Sequence, residues 1–240
     1  MPDWQTRRKA KQERMRAAAS MMEGRVVRTE RAADLLQALL RPGDRVALEG
    51  DNQKQADFLA RSLTQLDPAA VHDLHLLISS VSLPEHLDVF EKGICRRIDF
   101  SYAGEQSVRM AGLVADGTVE VGAIHTYVEL YARMFVDLIP DVVLLCAAQA
   151  DRDGNLFTGP STEDTPVIAE AAAFHDGVGD RVAARGVSAA RRTWGMTRTG
   201  DATPRLPGLI SRPARARAGA GASWSCRYCR PTTRAASPRS

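Results

Sequence analysis

The sequence predicts an α/β fold, a mostly parallel sheet with flanking helices, and two observations carry that expectation. Between residues 45 and 146, short apolar runs recur every twenty to thirty residues, each followed by a segment with helical apolar spacing. Such a rhythm calls for right-handed crossovers joining parallel strands. Most of the runs are also apolar and non-alternating, which fits strands covered on both faces. A chain of 240 residues is long enough to bury a sizeable core, and aromatics at 5% leave the packing to Leu, Val, Ile and Ala.

The first elements are helical. Trp4 to about Glu23 is rich in strong helix formers, and its basic face reads as solvated rather than anion-binding. Arg28 to Leu40 continues as a second helix with a partial stripe of Ala33, Leu36, Ala38 and Leu40, stopped by Arg41-Pro-Gly-Asp44. Residues 1–41 thus form an N-terminal helical segment, and the α/β domain runs over 42–177.

Within that domain Arg45-Val-Ala-Leu-Glu49 is the first strand, and Lys54 to Leu66 is a helix with Ala56, Leu59, Leu63 and Leu66 on one face. Asp73-Leu-His-Leu-Leu-Ile78 is the second strand, followed by a helix from Pro84 to Lys92, where proline is tolerated in the first turn. Arg97-Ile-Asp-Phe-Ser-Tyr102 is the third strand and Glu105 to Ala115 the next helix. Val119-Glu-Val-Gly-Ala-Ile124 is the fourth strand. Thr126 to Leu138 is a helix with the stripe Val128, Tyr131, Met134, Phe135 and Leu138. Val142 to Cys146 is the fifth strand, and Val167 to Phe174 opens a further helix. Local periodicity does not give the strand order.

After Gly177 the rhythm stops. Residues 180–240 hold 13 Arg, no Lys, two Asp and no Glu, a net +11, leaving 19 basic against 27 acidic residues, −8, in 1–179. A stretch of Arg, Ala, Gly, Pro and Ser cannot bury enough apolar surface to offset its chain entropy, so 178–240 is expected to be disordered. The same composition arises when a GC-rich coding sequence is read in a shifted frame, which is favoured here over a functional Arg-rich arm gripping nucleic acid. Cys226-x-x-Cys229 has no second pair and no nearby His, and does not amount to a metal site.

Several classes are disfavoured. No window has the apolar length to span a bilayer, and Met1-Pro-Asp-Trp-Gln-Thr-Arg-Arg-Lys lacks the core of a signal peptide, so the expected location is cytoplasmic, away from membranes. Four cysteines, two of them isolated, do not suggest a disulfide framework. Glycine-rich dinucleotide, phosphate-loop and nucleophile-elbow motifs are absent from the sequence.

The polar residues concentrate in two strand-end loops, where open α/β sheets keep their ligands. Glu49-Gly-Asp-Asn-Gln53 could offer backbone N–H groups and a helix start to an anion. Ala150 to Pro166 holds Asp151, Asp153, the turn pair Gly154-Asn155 and Gly159-Pro160, and after that proline come three hydroxyls and two further acids. An ordinary turn-rich connection with a capped helix accounts for that composition as well. His125 ends a strand at the same edge of the sheet, whereas His72 and His75 read as structural, with no acid–His constellation, and His86 as part of a polar helix face.

Trp4-x-Thr-Arg-Arg8, Arg41-Pro-Gly-Asp-Arg-Val46, Leu48-Glu-Gly-Asp-Asn-Gln-Lys-Gln-Ala-Asp-Phe-Leu59, the stretch from Gly122 to Ala132 and the stretch from Ala150 to Pro166 together resemble the alpha subunit of malonate decarboxylase. The likeness runs from about Trp4 to about Gly177, and Ala150-Asp-x-x-Gly-Asn155 resembles a turn of coenzyme A transferases more widely. The resemblance implies a coenzyme A transferase-like fold of two related halves with the site between them. The N-terminal half is expected here, and the second is expected to be missing after Asp176-Gly177.

It further implies an acyl carrier protein transferase that moves the carrier from an acetyl thioester to malonate. The implied partners are the acyl carrier protein subunit, the decarboxylase subunits, malonate and acetate. The cofactor would be a coenzyme-A-like arm on the carrier, with none bound covalently to this chain. On this reading Gly50, Asp51, Asn52 and Gln53 form a donor loop. Gly159, Ser161, Thr162, Glu163 and Asp164 belong to the facing wall, with Asn155 and His125 as polar anchors. Gly50, Asn52, Gln53 and His125 are the catalytic candidates, the remainder substrate-binding, and no metal is expected. A non-catalytic assembly module is the second reading, and nucleic-acid binding by the tail the third.

Overall fold

The computed structural model describes residues 4–22, 26–50, 56–147, 149–150, 156–157, 164–174 and 180–185. Helix α1 (Trp4–Ala19) and α2 (Ala32–Leu39) precede strand β1 (Arg45–Leu48), α3 (Asp57–Leu63) and β2 (Leu74–Ser80). Next come α4 (Glu85–Glu91), β3 (Cys95–Tyr102), α5 (Ser107–Ala115), β4 (Glu120–Ile124), α6 (Tyr127–Met134) and β5 (Val142–Ala147). A two-residue hairpin of β6 (Gln149–Ala150) and β7 (Leu156–Phe157), helix α7 (Thr165–Phe174) and β8 (Asp180–Arg185) complete the order.

The main sheet runs β4-β3-β2-β1-β5-β8 and every pairing in it is parallel. The chain therefore winds outward from β1 to β4, then crosses back to lay β5 on the other side of β1. Strand parity sorts the core into two layers. Val46, Leu48, Leu74, Leu76, Ile78, Ile98, Val142 and Leu144 face α2 to α5, while Ala47, Leu77, Val143 and Leu145 face α6 and α7. The predicted helical face of Ala56, Leu59, Leu63 and Leu66 is buried throughout.

Two expectations are adjusted. The helix from Arg28 divides into a 3-10 turn, Thr29–Arg31, and α2, whose buried row is Ala32, Leu35, Leu36 and Leu39. Helix α6 ends at Met134 rather than Leu138, the row meeting the sheet layer is Leu130 and Met134 with Leu138 beyond the helix end, and Val128 is 78% exposed. Strand β8 pairs with β5 over Val142↔Asp180 to Ala147↔Arg185. Helix α1 is held to the domain by a two-pronged pair, Arg14 Nη1 and Nη2 donating to Asp44 at 2.6 and 2.9 Å.

Candidate active site

Strands β1 and β5 are neighbours whose following helices lie on opposite faces of the sheet. That is the topological switch point, and ligands of open α/β sheets bind beyond the carboxyl ends of the strands there. The chain places two buried acids at this crevice. Glu49, directly after β1, accepts the backbone N–H of Cys146 at 2.6 Å and the hydroxyl of Thr165. Asp164, directly before α7, accepts the hydroxyls of Ser79 at the end of β2 and Tyr131 on α6. Both are fully buried, and such carboxylates are tolerated because each oxygen has a donor.

Gly50 follows Glu49 and is forced by space. A Cβ there would sit 2.5 Å from the Ile78 side chain and 2.9 Å from the Ser80 carbonyl oxygen. Only glycine lets the end of β1 lie this close to the end of β2.

A second polar cluster lies at the β3 and β4 side of the same layer. His125 follows β4, donates its backbone N–H to the Phe100 carbonyl at 2.8 Å, and is followed by Thr126, whose hydroxyl caps α6 through Glu129 N. Asp99 on β3 meets Nε2 of His75 and Nε2 of His125, each at 2.7 Å. An ionised carboxylate only accepts, so Nε2 carries the proton in both rings. Burial opposes ionisation of Asp99, but the two histidine hydrogen bonds outweigh it and hold its carboxyl below the ordinary aspartate value. His125 Nδ1 lies 3.5 Å from Glu129 Oε1. Gly122 makes room for this cluster, since a Cβ there would fall 2.0 Å from Asp99 Oδ2.

Of the residues named from sequence, Gly50, His125 and Asp164 are placed at the carboxyl edge of the sheet. Gly50 and Asp164 are brought together by the Glu49–Thr165 bond, whereas His125 is engaged in the separate Asp99 cluster. Asp51, Asn52, Gln53, Asn155, Gly159, Ser161, Thr162 and Glu163 lie outside the described residues, as do the turn acids Asp151 and Asp153 and residues 186–240.

Asp99 overturns the expectation that no acid accompanies His75. His86 is fully buried rather than on a polar face, and burial drives its imidazole down to about 4. Glu49, Ser79, Asp99, Tyr131 and Thr165 were given no role in the site from sequence. The available signal was parity: Asp99 alternates with the buried Ile98 and Phe100, so it had to enter the opposite layer. Among the described residues no group of three or more His, Cys, Asp or Glu side chains is arranged to hold a metal ion, and no helix is long and apolar enough to cross a membrane.

A doubly wound parallel sheet with hydrogen-bonded acids and a space-forced glycine at its switch point defines an α/β domain built around a polar strand-end crevice. The family model for malonate decarboxylase, alpha subunit, transporter, matches residues 3–185, and the chain belongs to that family. It is 51% identical over 168 residues to the acetyl-S-ACP:malonate ACP transferase of Malonomonas rubra, covering 70% of this chain and 30% of that protein.

Two solved structures share the fold. The malonate decarboxylase alpha subunit from Acinetobacter baumannii superposes with a TM-score of 0.71 at 52% identity, over 78% of this chain and 35% of that one. A Pseudomonas malonate decarboxylase hetero-tetramer in complex with malonate gives 0.71 at 55% identity, over 75% of this chain and 33% of the other. The chain thus spans about a third of the length of the relatives it matches.

Proposed function

We propose that this chain supplies the N-terminal lobe of an acetyl-S-ACP:malonate ACP transferase, the alpha subunit of a cytoplasmic malonate decarboxylase. The observation that carries the reading is the family match over residues 3–185, which spans both the Glu49-Gly50 and the Asp164-Thr165 ends of the crevice. The partners would be an acyl carrier protein with a coenzyme-A-like arm and the decarboxylase subunits, with malonate consumed and acetate released.

The chemistry is an acyl exchange. A malonate carboxylate oxygen attacks the acetyl thioester carbon, and the carbon–sulfur bond breaks to give a mixed anhydride and a carrier thiolate. The thiolate then attacks the malonyl carbonyl of the anhydride, forming the malonyl thioester and expelling acetate. Each step passes through a tetrahedral oxyanion, for which a well-aimed donor contributes about 2.7–4 kcal/mol. In this proposal the loop opening at Gly50 supplies donors, the segment ending at Asp164 forms the facing wall, and His125 is a polar anchor.

The test is transfer from an acetyl-loaded carrier to malonate by the full chain, alongside Asn52→Ala and Ser161→Ala in a full-length relative. Loss of exchange in the two variants supports the assignment, and unchanged exchange in both removes it. A non-catalytic assembly module is the second reading, favoured by coverage of only about a third of each relative. Carrier or subunit binding without turnover would select it.

A further inference from the structure

We propose that Glu49 and Thr165 are positioning residues of the transfer site, fixing the separation of Gly50 and Asp164 across the crevice between β1 and β5. The proposal rests on the transferase reading above. One buried carboxylate joins three elements: Glu49 closes β1, its Oε2 takes the amide of Cys146 on β5, and its Oε1 takes the hydroxyl of Thr165, the first residue of α7. The Glu49 backbone N–H also donates to the Leu144 carbonyl at 3.0 Å, so main chain and side chain are both tied to β5.

On the far side, Asp164 takes hydroxyls from β2 and α6, so the head of α7 cannot slide along the crevice without breaking bonds to two further elements. The end of β1 has no slack towards β2 either, because Gly50 already lies against Ile78 and Ser80. With both sides fixed, the gap between the two candidate ligand residues is set by the Glu49–Thr165 bond. Packing alone would be served as well by apolar side chains of the same volume, so acids at this place point to orientation rather than bulk stability. A misplacement of about 1 Å from reacting geometry can cost on the order of 10²-fold in rate.

The experiment compares Thr165→Val, which keeps shape and loses the hydroxyl, with Thr165→Ser, which keeps the hydroxyl, both in the full chain. Amide exchange is followed in the peptides carrying Glu49–Gly50 and Asp164–Thr165, together with kcat and KM for acetyl-to-malonyl exchange. Thr165→Val is expected to speed exchange at least tenfold in both peptides at once, while β2 and β3 keep their protection. It should also lower kcat at least tenfold with KM for malonate within about twofold, and Thr165→Ser should restore both quantities. Faster exchange at α7 alone, an unchanged kcat in an active protein, or failure of Thr165→Ser to rescue would overturn the proposal. If the wild-type chain transfers nothing yet both peptides respond together, the coupling stands and only the transferase reading falls.

Discussion

Replacing Asp99 with Asn tests the histidine cluster. The carboxylate is 1% exposed and accepts Nε2–H of His75 and of His125 at 2.7 Å each. An amide keeps one accepting oxygen and turns an NH2 toward the other ring, so one buried donor loses its partner and faces another donor. A hydrogen bond to a charged group contributes about 1.5–3 kcal/mol, and stranding a buried donor costs about 1–3 kcal/mol, so Asp99→Asn should lose roughly 3 kcal/mol at pH 7. With a urea dependence of about 2 kcal/mol per molar, the midpoint should fall by about 1.5 M.

The effect should depend on pH with a definite sign. The Asp99 carboxyl is lowered on folding, so its contribution is present above the unfolded value of about 3.9 and is lost as pH falls through the folded value. Urea titrations of both proteins from pH 7 to pH 3 should therefore show a gap that is steady above about pH 5 and narrows as pH falls below about 4. A gap below about 0.5 kcal/mol at pH 7, or one of constant size down to pH 3, would refute the reasoning.

Other expected outcomes bear on neighbouring features. Gly122→Ala forces a Cβ to 2.0 Å from Asp99 Oδ2 and should destabilise by about 1–3 kcal/mol in urea melts, an effect that shrinks when Asp99 is already Ala. His86 is buried with its value driven down to about 4, so an unfolded chain takes up a proton between pH 6.5 and 4 that the folded one refuses. That window should cost up to about 3 kcal/mol as pH falls, and His86→Leu should flatten it in acid denaturation curves. Leu144→Ala, in the fully buried β5, should lose about 2–5 kcal/mol by thermal or urea unfolding. Burial pushes the Cys95 thiol up, so iodoacetamide should spare Cys95 in native protein and label it in urea, read by peptide mapping.

What could be read in the sequence was whatever is local and one-sided. Ala56, Leu59, Leu63 and Leu66 share a face because helical spacing alone puts them there, and all are buried. Helix α6 and the turn after it carry two overlapping apolar rows, Val128 with Val136 and Leu130 with Met134. Only contact with the sheet layer and α7 decides that the second goes inside. The strand order escaped because β1 pairs with β5 through contacts such as Glu49 to Cys146, 97 residues apart, and no local signal encodes that choice. The site divided likewise: Gly50, His125 and Asp164 were visible as polar residues at strand ends, while Asp99 and Glu49 gained meaning only when distant partners were brought beside them.

The placement of β5 beside β1 has a consequence during synthesis. Glu49 leaves the ribosome 97 residues before the Cys146 amide that its carboxylate accepts. At about 5–20 residues per second that is a wait of roughly 5–20 s. Throughout it β1 has an unpaired edge, apolar from Val46 to Leu48, beside a half-built sheet, a ready template for another nascent chain. The crossing that creates the ligand crevice also makes β1 the most aggregation-exposed strand until β5 is made, so slowing translation between codons 50 and 142 should lower soluble yield more than slowing it after codon 147.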